Sequence, residues 1–541
     1  MTAALSPTLP IWASALVLAP AAIAASAAAA TSRIGGVATA WRLARVASGV
    51  MALAAVAVAV VRVTGGVRAN EFVRIDNVTV AMLGLLALIG WVVIRYSSVY
   101  LAGDPHERRY IRQMLATLAA VSVVVVANHL VLLVAAWAGT SMALHGLLTF
   151  FGDRPVAVAV AHKKFLLARC ADASMLGAVV AFGTVFDTLR IDVISAEAIA
   201  ADSLPTGARI GILLVAIAAL LKCAQLPFHG WLIQVMEAPT PVSALLHAGV
   251  VNLGGFVLLR FAPVVDRSVE TRALLVGVGV TTAVVASLVM TTRVSVKVAL
   301  AWSTCAQMGF MLMQCGLGLW EMALLHLVAH SVYKAHAFLG AGGTVRQTQR
   351  KQLSPKHIPP GVPAVAARTI VAVLGTAAVG VAWEALPIGS DVSVTVWLMM
   401  GIVAFALVPL IASFDSRAWP LALGRALAVP AVYLVLHELV AKVVPHGTEA
   451  PVALLVFTGL GFSLLFLTQT SFIIAPEGRL AQRVRPWIYA GLFLDDVFTR
   501  AAFAVSPPPA PTTRSTPLPQ PTVVPIFSND IAADACVPAS R

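Results

Sequence analysis

Long apolar segments dominate this chain and limit what it can fold into. A run of about 20 apolar residues is long enough to cross the hydrocarbon core of a bilayer as one helix. Fifteen such candidate runs lie near residues 8–30, 46–62, 76–94, 110–127, 128–151, 165–186, 209–236, 241–262, 271–291, 296–317, 320–342, 362–387, 393–414, 419–442 and 451–473. Hydrophobic residues make up 59% of the chain and charged residues only 11%, which excludes a water-soluble globule. The pattern predicts an all-α polytopic membrane protein with about 15 transmembrane helices, within a range of 13 to 15.

Charged loops predict the orientation of the bundle. The loops after predicted spans 3, 5 and 11 are basic, and they carry Arg95, Arg108, Arg109, Arg112, Arg154, Lys163, Lys164, Arg346, Arg350, Lys351 and Lys356. The loop after span 6 is acidic. Because basic loops stay in the cytoplasm, we expect the N-terminus outside and the C-terminus inside. The same loops account for the net charge of +13, so membrane lipids, and not nucleic acid, are the expected surroundings.

The sequence predicts neither a metal site nor a cofactor site. Five cysteines lie at Cys170, Cys223, Cys305, Cys315 and Cys536, without the CxxC spacing of zinc or iron–sulfur sites. His326 and His330 have the HxxxH spacing of a zinc pair, but no third ligand follows on that helix face. No glycine-rich nucleotide loop is present.

Several ionisable residues fall inside the apolar runs, where a charge is costly and usually marks an ion pathway. These proton-translocation candidates are Asp172, Lys222, His247, Lys297, His326, His330 and Lys334. The last three are spaced four residues apart, so they form one stripe on one helix. Two structural alternatives stay open, since His247 could be a packing residue and Lys297 a loop charge.

The seventh run is predicted to be a broken helix. Pro227 and Gly230 follow Lys222, and each weakens the helical hydrogen-bond ladder. Non-helical backbone is tolerated at membrane depth where it lines a watery cavity or is buried in protein. We expect Asp172 to be the counter-ion of Lys222; the alternative is that Asp172 only pairs with Arg169, one turn earlier on the same helix.

Composition divides the chain into five predicted regions. These are N-terminal spans at 1–109, an antiporter-like translocating core at 110–345, C-terminal spans at 346–474, a basic and aromatic docking segment at 475–505, and a flexible tail at 506–541. Eight prolines between residues 506 and 525 exclude a helix or a sheet interior in the first part of that tail.

Four motifs resemble the antiporter-like membrane subunits of respiratory complex I and the Mrp-type cation/proton antiporters. They are KCAQLP at 222–227, APTPVSALLHA at 238–248, AWST at 301–304 and HLVAHSVYKA at 326–335. The likeness covers about residues 90–345. It implies an antiporter-like bundle with a broken helix 7, in which Lys222, His247, His326, His330 and Lys334 form a proton path.

The departures from that pattern are informative. The family's glutamate after the span-5 tryptophan is replaced here by Ala138, and its span-12 lysine has no counterpart beyond Arg368 and Glu384 near the span ends. The chain also lacks a long lateral C-terminal helix and ends instead in GLFLDDVFTR at 491–500 and the tail. In these respects it resembles the DabB-type subunits of two-component inorganic carbon pumps.

That resemblance implies a bacterial inner-membrane subunit that conducts a cation, most simply a proton, to energise CO2 or bicarbonate uptake. It further implies a soluble cytoplasmic DabA-type zinc protein as the partner. The alternative is a proton-pumping subunit of an NADH:quinone oxidoreductase-like complex or an Mrp-type Na⁺/H⁺ antiporter. A polytopic membrane enzyme is a third class, but no nucleophile–base or metal cluster is found at a membrane edge, so we expect a transporter subunit.

Overall fold

A computed structural model describes residues 8–33, 35–66, 68–344, 360–386, 392–412, 419–444 and 447–509. Most of this described chain is helical. Within it, thirteen helices are long and apolar enough to cross a membrane. Two more of the predicted spans are also helical: the seventh is interrupted, and its longer piece has 17 residues, whereas the eleventh is a helix of 20 residues that carries the His/Lys stripe.

The first six helices and a small hairpin form the N-terminal part. Their bounds are α1 Ile11–Ala30, α2 Val37–Gly65, α3 Asn77–Tyr100, α4 Glu107–Val126, α5 Leu130–Leu148 and α6 Pro155–Phe186. The antiparallel strands β1 Arg68–Ala69 and β2 Arg74–Ile75 join α2 to α3. The predicted boundary between spans 4 and 5 at Asn128 is confirmed, because α4 ends at Val126 and α5 begins at Leu130.

The central part contains the two interrupted spans. Its helices are α7 Ile191–Ala200, α8 Thr206–Lys222, α9 Gly230–Gln234, α10 Thr240–Ala248, α11 Leu253–Arg260, α12 Ala262–Asp266, α13 Val269–Met290, α14 Val296–Gly316 and α15 Trp320–Leu339. The C-terminal part comprises α16 Val362–Glu384, α17 Val394–Ala412, α18 Trp419–Ala441, α19 Val452–Ile474, α20 Arg479–Tyr489 and α21 Leu494–Val505. Residues 510–541 of the predicted tail lie outside the described residues.

The predicted start of the sixth span is wrong. The sixth span was expected to begin at residue 165, with Lys163 and Lys164 in the preceding loop, but α6 begins at Pro155. Proline is well suited to the first helical position, and both lysines find buried partners, so the helix starts ten residues earlier than its apolar run. Lys163 and Lys164 are therefore interior residues and not loop charges.

Contacts between loops separate the bundle into two faces. Loops that follow even-numbered spans meet one another, as when Asn128 donates to Asn70 O and Arg267 donates to Asp202 O. We call this the hairpin face, after the β1–β2 hairpin. Loops that follow odd-numbered spans meet on the other side, where Arg154 pairs with Glu237. We call that side the basic face.

Side chains satisfy backbone groups that the seventh span leaves free. Helix α8 ends at Lys222 and α9 begins only at Gly230. In the intervening segment Cys305 Sγ donates to Ala224 O over 3.0 Å, and Leu226 N donates to the Thr282 hydroxyl over 3.2 Å. Buried backbone groups require such partners in a bilayer.

The eighth span is interrupted as well, which the sequence reading did not predict. Helix α10 ends at Ala248, Gly249 leaves the helical region with φ −128° and ψ −71°, and a short 3₁₀ turn leads into α11. Main-chain oxygens at this interruption are free to accept hydrogen bonds from other helices.

Candidate functional site

Lys222 lies at the last position of α8, buried in the middle of the bundle. Its ammonium donates to the Ser141 hydroxyl over 2.8 Å and to the Thr140 hydroxyl over 3.0 Å, both on α5. The Nζ atom also lies 4.4 Å from the centroid of the Trp137 ring. Hydroxyls and an aromatic face therefore hold the ammonium where the family pattern has a carboxylate at position 138. These partners are neutral, so they accept from Lys222 without fixing its charge.

Lys164 is a site residue that the sequence reading missed. It is buried on α6, and its Nζ donates to Ser141 O over 2.7 Å. Ser141 thus joins two lysines from different helices. The sequence contained a signal, because Lys164 precedes Asp172 by eight residues, which places both on one face of a helix.

Asp172 contacts Arg169 and not Lys222. Arg169 Nη2 lies 2.6 Å from Asp172 Oδ2, one turn apart on α6. No ion pair within 4 Å joins Lys222 to a carboxylate in the described part of the chain. The clamp with Arg169 is therefore the observed contact, and a counter-ion role of Asp172, acting through water or at longer range, stays a prediction.

A second cluster connects α10, α14 and α15. His247 Nδ1 lies 3.1 Å from the Thr304 hydroxyl, which itself donates to Leu300 O. Lys334 Nζ donates to the same Leu300 oxygen over 3.0 Å and to the Ser303 hydroxyl over 2.7 Å. The imidazole and the ammonium are thus bound to one turn of α14. Packing against Phe338, 4.4 Å between ring centroids, also holds His247, so its structural role and its polar contact coexist.

His330 continues this cluster toward a cavity that opens at the surface of the bundle beside the exposed Tyr333. Its Nδ1 lies 2.5 Å from Gln307 Oε1, and its Nε2 lies 3.2 Å from the main-chain oxygen of His247, next to the interruption of the eighth span. An imidazolium here would donate to both oxygens, so His330 can hold a proton. His326 stacks on His330 with 5.9 Å between ring centroids, and both line a cavity of about 410 Å³ together with Gln307 and Tyr333.

Lys297 lies at the start of α14, where its Nζ donates to the Thr240 hydroxyl over 2.9 Å. Thr240 in turn donates to the Tyr100 hydroxyl over 3.4 Å. Lys297 therefore lies between Lys334 and the basic face. This position agrees both with a role in the proton path and with a simple loop charge. Among the described residues no direct hydrogen bond joins the group around Lys222 to the group formed by His247, Thr304 and Lys334.

The C-terminal helices pack under the broken seventh span. Lys163, with 1% of its side chain exposed, donates to Asp495 Oδ1 and to Gln234 Oε1, each over 3.0 Å, and to the Thr499 hydroxyl. A side chain at Gly230 would collide with Asp495, because an added Cβ would overlap Oδ1 of that carboxylate. Gly230 is expected from the sequence only to weaken the seventh helix. In the structure it is also the position against which α21 packs.

A cavity of about 670 Å³, lined by both charged and apolar side chains, opens on the hairpin face. At its edge Asp266 accepts from the Trp320 indole over 3.0 Å and from Thr448 N over 3.3 Å. Burial raises the pKa of the Asp266 carboxyl to about 6, although these donors and nearby Arg272 oppose the shift. In the described ranges, no group of three or more His, Cys, Asp or Glu side chains is arranged to hold a metal ion.

Comparisons with known proteins agree with this geometry. The family model described as NADH:quinone oxidoreductase/Mrp antiporter, TM, matches residues 127–414, and the one described as NADH-ubiquinone oxidoreductase (complex I), chain 5 N-terminus, matches residues 63–111. The chain is 41% identical over 447 residues to the probable inorganic carbon transporter subunit DabB of Hydrogenovibrio crunogenus, which covers 81% of this chain and 84% of that relative. It is 37% identical to the probable subunit DabB2 of Halothiobacillus neapolitanus, with 80% of each chain covered.

More distant relatives share a smaller part. NADH-quinone oxidoreductase subunit L of Mycobacterium tuberculosis is 33% identical over 53% of this chain and 46% of its own length. Among solved structures, the Mrp complex from Dietzia sp. DQ12-45-1b matches 91% of this chain and 59% of that chain with a TM-score of 0.62 and 24% identity. An archaeal membrane-bound sulfane sulfur reductase matches 91% of this chain and 99% of that chain, with a TM-score of 0.56 and 16% identity. These two structural matches show a shared fold.

Proposed function

This chain belongs to the NADH:quinone oxidoreductase/Mrp antiporter family of membrane subunits, in its DabB-type branch, and from that premise we propose that it conducts protons for an inorganic carbon pump. It serves as a transporter subunit and not as an enzyme in its own right. Proton flow through the bundle would energise the uptake of CO2 or bicarbonate.

The observation that supports proton conduction most strongly is the environment of Lys222. The ammonium is buried at membrane depth, and its hydrogen-bond partners are the uncharged hydroxyls of Ser141 and Thr140. A lysine without a bound carboxylate gains or loses a proton at lower energetic cost than one held in an ion pair. Lys334 is held in the same manner by Ser303 and a main-chain oxygen.

The departures from the complex I pattern favour the carbon pump over a redox-driven pump. Position 138 is an alanine, and in α16, the twelfth span, the buried residues are apolar or small, with Thr376 the one buried polar side chain. A redox pump with a complete relay of the family type would need acid and lysine groups at these places.

The basic face carries a surface suited to a soluble partner. Helices α20 and α21 and the turn between them expose large apolar side chains: Leu480, Trp487, Tyr489, Leu492, Phe493 and Val497. Aromatic residues amid basic ones are typical of interfaces. We assign this surface, with the neighbouring charged loops, to the cytoplasmic DabA-type zinc protein. We accordingly propose that the C-terminus lies in the cytoplasm and the N-terminus outside.

Proteoliposomes test conduction directly. Wild-type protein with an imposed pH gradient should acidify or alkalise the lumen, measured with an enclosed pH-sensitive dye, and Lys222→Ala should lower the rate at least tenfold while still inserting. Lys442→Ala, an exposed lysine, is the matched control and should retain wild-type flux. Full flux in Lys222→Ala would refute the proposed path.

Co-purification tests the partner. A large soluble zinc protein should purify with the wild-type chain and with a chain truncated before Ser506, but not with one truncated before Arg483. Recovery of a set of small membrane subunits instead would support the antiporter alternative.

A further inference from the structure

A buried carboxyl–imidazole pair joins α15 to α18 on the hairpin-face side of the bundle. Glu321 Oε1 lies 3.4 Å from His437 Nδ1, and 0% and 8% of the two side chains are exposed. Tyr433 precedes His437 by one turn on α18, and its hydroxyl is buried with no hydrogen-bond partner in the described residues. These titratable groups belong to neither cluster described above.

Stability alone does not account for such a pair. Burying a charged pair costs several kcal/mol per ion. A protein with apolar residues of similar volume in place of the pair is often equally stable. Met322, Leu325 and Leu434, which lie within about one turn of the pair along α15 and α18, belong to one hydrophobic cluster. Ionisable residues in this setting are usually functional in membrane proteins.

The position of Glu321 on α15 connects the pair to the His/Lys stripe. Glu321 occupies the first turn of the helix, and His326, His330 and Lys334 follow on the same helix. At a rise of about 1.5 Å per residue, Glu321 lies about 7.5 Å along the axis from His326, and each later step is about 6 Å. Five residues also turn about 140° around the helix, so Glu321 lies on a different face from His326, and a proton would pass between them through water.

A proton route also needs a carrier on the hairpin-face half, where the Asp266 carboxyl borders the cavity of about 670 Å³. The family's span-12 lysine has no counterpart among the buried residues of α16. The cavity that reaches His326 and His330 is lined by neutral and apolar groups beyond those histidines.

We propose that Glu321 and His437 are the proton-exchange pair through which the His/Lys stripe communicates with the hairpin face. The inference rests on the proposed proton conduction. A proton from that face binds the His437 imidazole and forms an imidazolium paired with the Glu321 carboxylate. Transfer across the pair gives a neutral imidazole and a neutral carboxyl group, and water carries the proton from Glu321 to His326. One proton enters and one leaves, so the pair returns to its first state.

Proton flux in proteoliposomes tests the pair. Glu321→Gln and His437→Gln should each lower the flux at least tenfold, and the double variant should be little worse than either, because both remove one step. Glu384→Gln is the matched control: Glu384 is exposed at the hairpin-face end of α16, and its flux should stay within twofold of wild type.

A second measurement separates proton exchange from a structural role. In Glu321→Asp the proton concentration on the hairpin-face side that gives half-maximal flux should shift at least threefold, with no shift on the basic-face side. Wild-type flux in Glu321→Gln, or equal shifts on both sides in Glu321→Asp, would overturn the inference. If Glu321→Gln conducts normally while Lys334→Ala is blocked, this inference alone fails; if wild-type protein conducts no protons, the proposed function fails as well.

Discussion

Lys164 and Lys222 donate to the two oxygen atoms of one residue. Lys164 Nζ binds Ser141 O over 2.7 Å, and Lys222 Nζ binds the Ser141 hydroxyl over 2.8 Å. Two lysine amino groups this close would repel each other if both were protonated, because little water surrounds them to screen the charges. A short polar bridge between lysines of α6 and α8 thus takes the place that an acid–lysine pair holds in the family pattern.

We expect Ser141→Ala to lower proton flux several-fold without abolishing it. The change removes one hydrogen bond to a charged group, worth about 1.5–3 kcal/mol, while the Thr140 contact of Lys222 and the main-chain contact of Lys164 remain. Flux into proteoliposomes measures the effect. Ser174→Ala is the control, because the Ser174 hydroxyl is exposed and bonds only to Cys170 O. Equal flux in both variants would show that the bridge is not used.

Asp172→Asn should lose most transport although its shape is nearly unchanged, and Asp172→Glu should keep some. The reason is that a counter-ion needs a charge and not merely a polar group. Arg169→Gln distinguishes this from the observed clamp. A clamp predicts that Arg169→Gln and Asp172→Asn reduce thermal stability and transport equally, whereas a counter-ion predicts that Arg169→Gln largely retains transport. Wild-type uptake in Asp172→Asn would refute the counter-ion role.

The stripe on α15 should behave as one pathway. His330→Ala and Lys334→Ala should each reduce flux at least tenfold, and the double variant should be little worse than either single variant. Because His330 is bound to Gln307 and His247 O and Lys334 to α14, each loss interrupts the same series of groups. Additive losses would indicate two separate routes. Chelators should not change the flux of the isolated chain.

Asp495→Ala should release the C-terminal helices from the bundle. Lys163 is buried, so the loss of its charged partner should cost about 1.5–3 kcal/mol, although Gln234 and Thr499 still accept from it. Faster proteolysis within 479–505 would report the change. The adjacent Asp496 is exposed, so Asp496→Ala should be cleaved at the wild-type rate. Identical cleavage of the two variants would contradict the docking role of Lys163.

Asp266 should make thermal stability depend on pH. Its pKa of about 6 in the fold exceeds the ordinary 3.8, so its contribution is fully present below about pH 4 and is lost as the pH rises through 6. The unfolding midpoint should therefore fall more between pH 4 and 7 in wild type than in Asp266→Asn, whose amide oxygen still accepts from Trp320. Parallel pH profiles would show that another group is responsible.

Apolar run length predicted the helices well, because a bilayer requires long continuous helices. It misplaced the start of α6, since Lys163 and Lys164 are polar in sequence but have buried partners from α5, α9 and α21. Such partners are distant in the chain and leave no local signal. The interruption at Gly249 was missed for a similar reason: a single glycine is common in membrane helices, and only packing decides whether the helix stops there.

Spacing was a better guide to the site than charge pairing. The four-residue intervals of His326, His330 and Lys334 correctly indicated a common helix face, because that periodicity is a property of one helix. Hydrogen-bond partners on other helices were harder to predict from the sequence. Proximity in sequence suggested Asp172 for Lys222, but the contacts observed come from Ser141 and Thr140 on α5.

The oxygen that binds His330 Nε2 belongs to the main chain of residue 247 and not to its imidazole. Replacing His247 with alanine deletes the ring and leaves that acceptor where it is. Alanine scanning will therefore not report the contribution of this main-chain oxygen. Only a substitution that changes the backbone can remove this acceptor. One example is a change at Gly249 that restores a continuous helix, in which the oxygen of residue 247 would accept a hydrogen bond within its own helix.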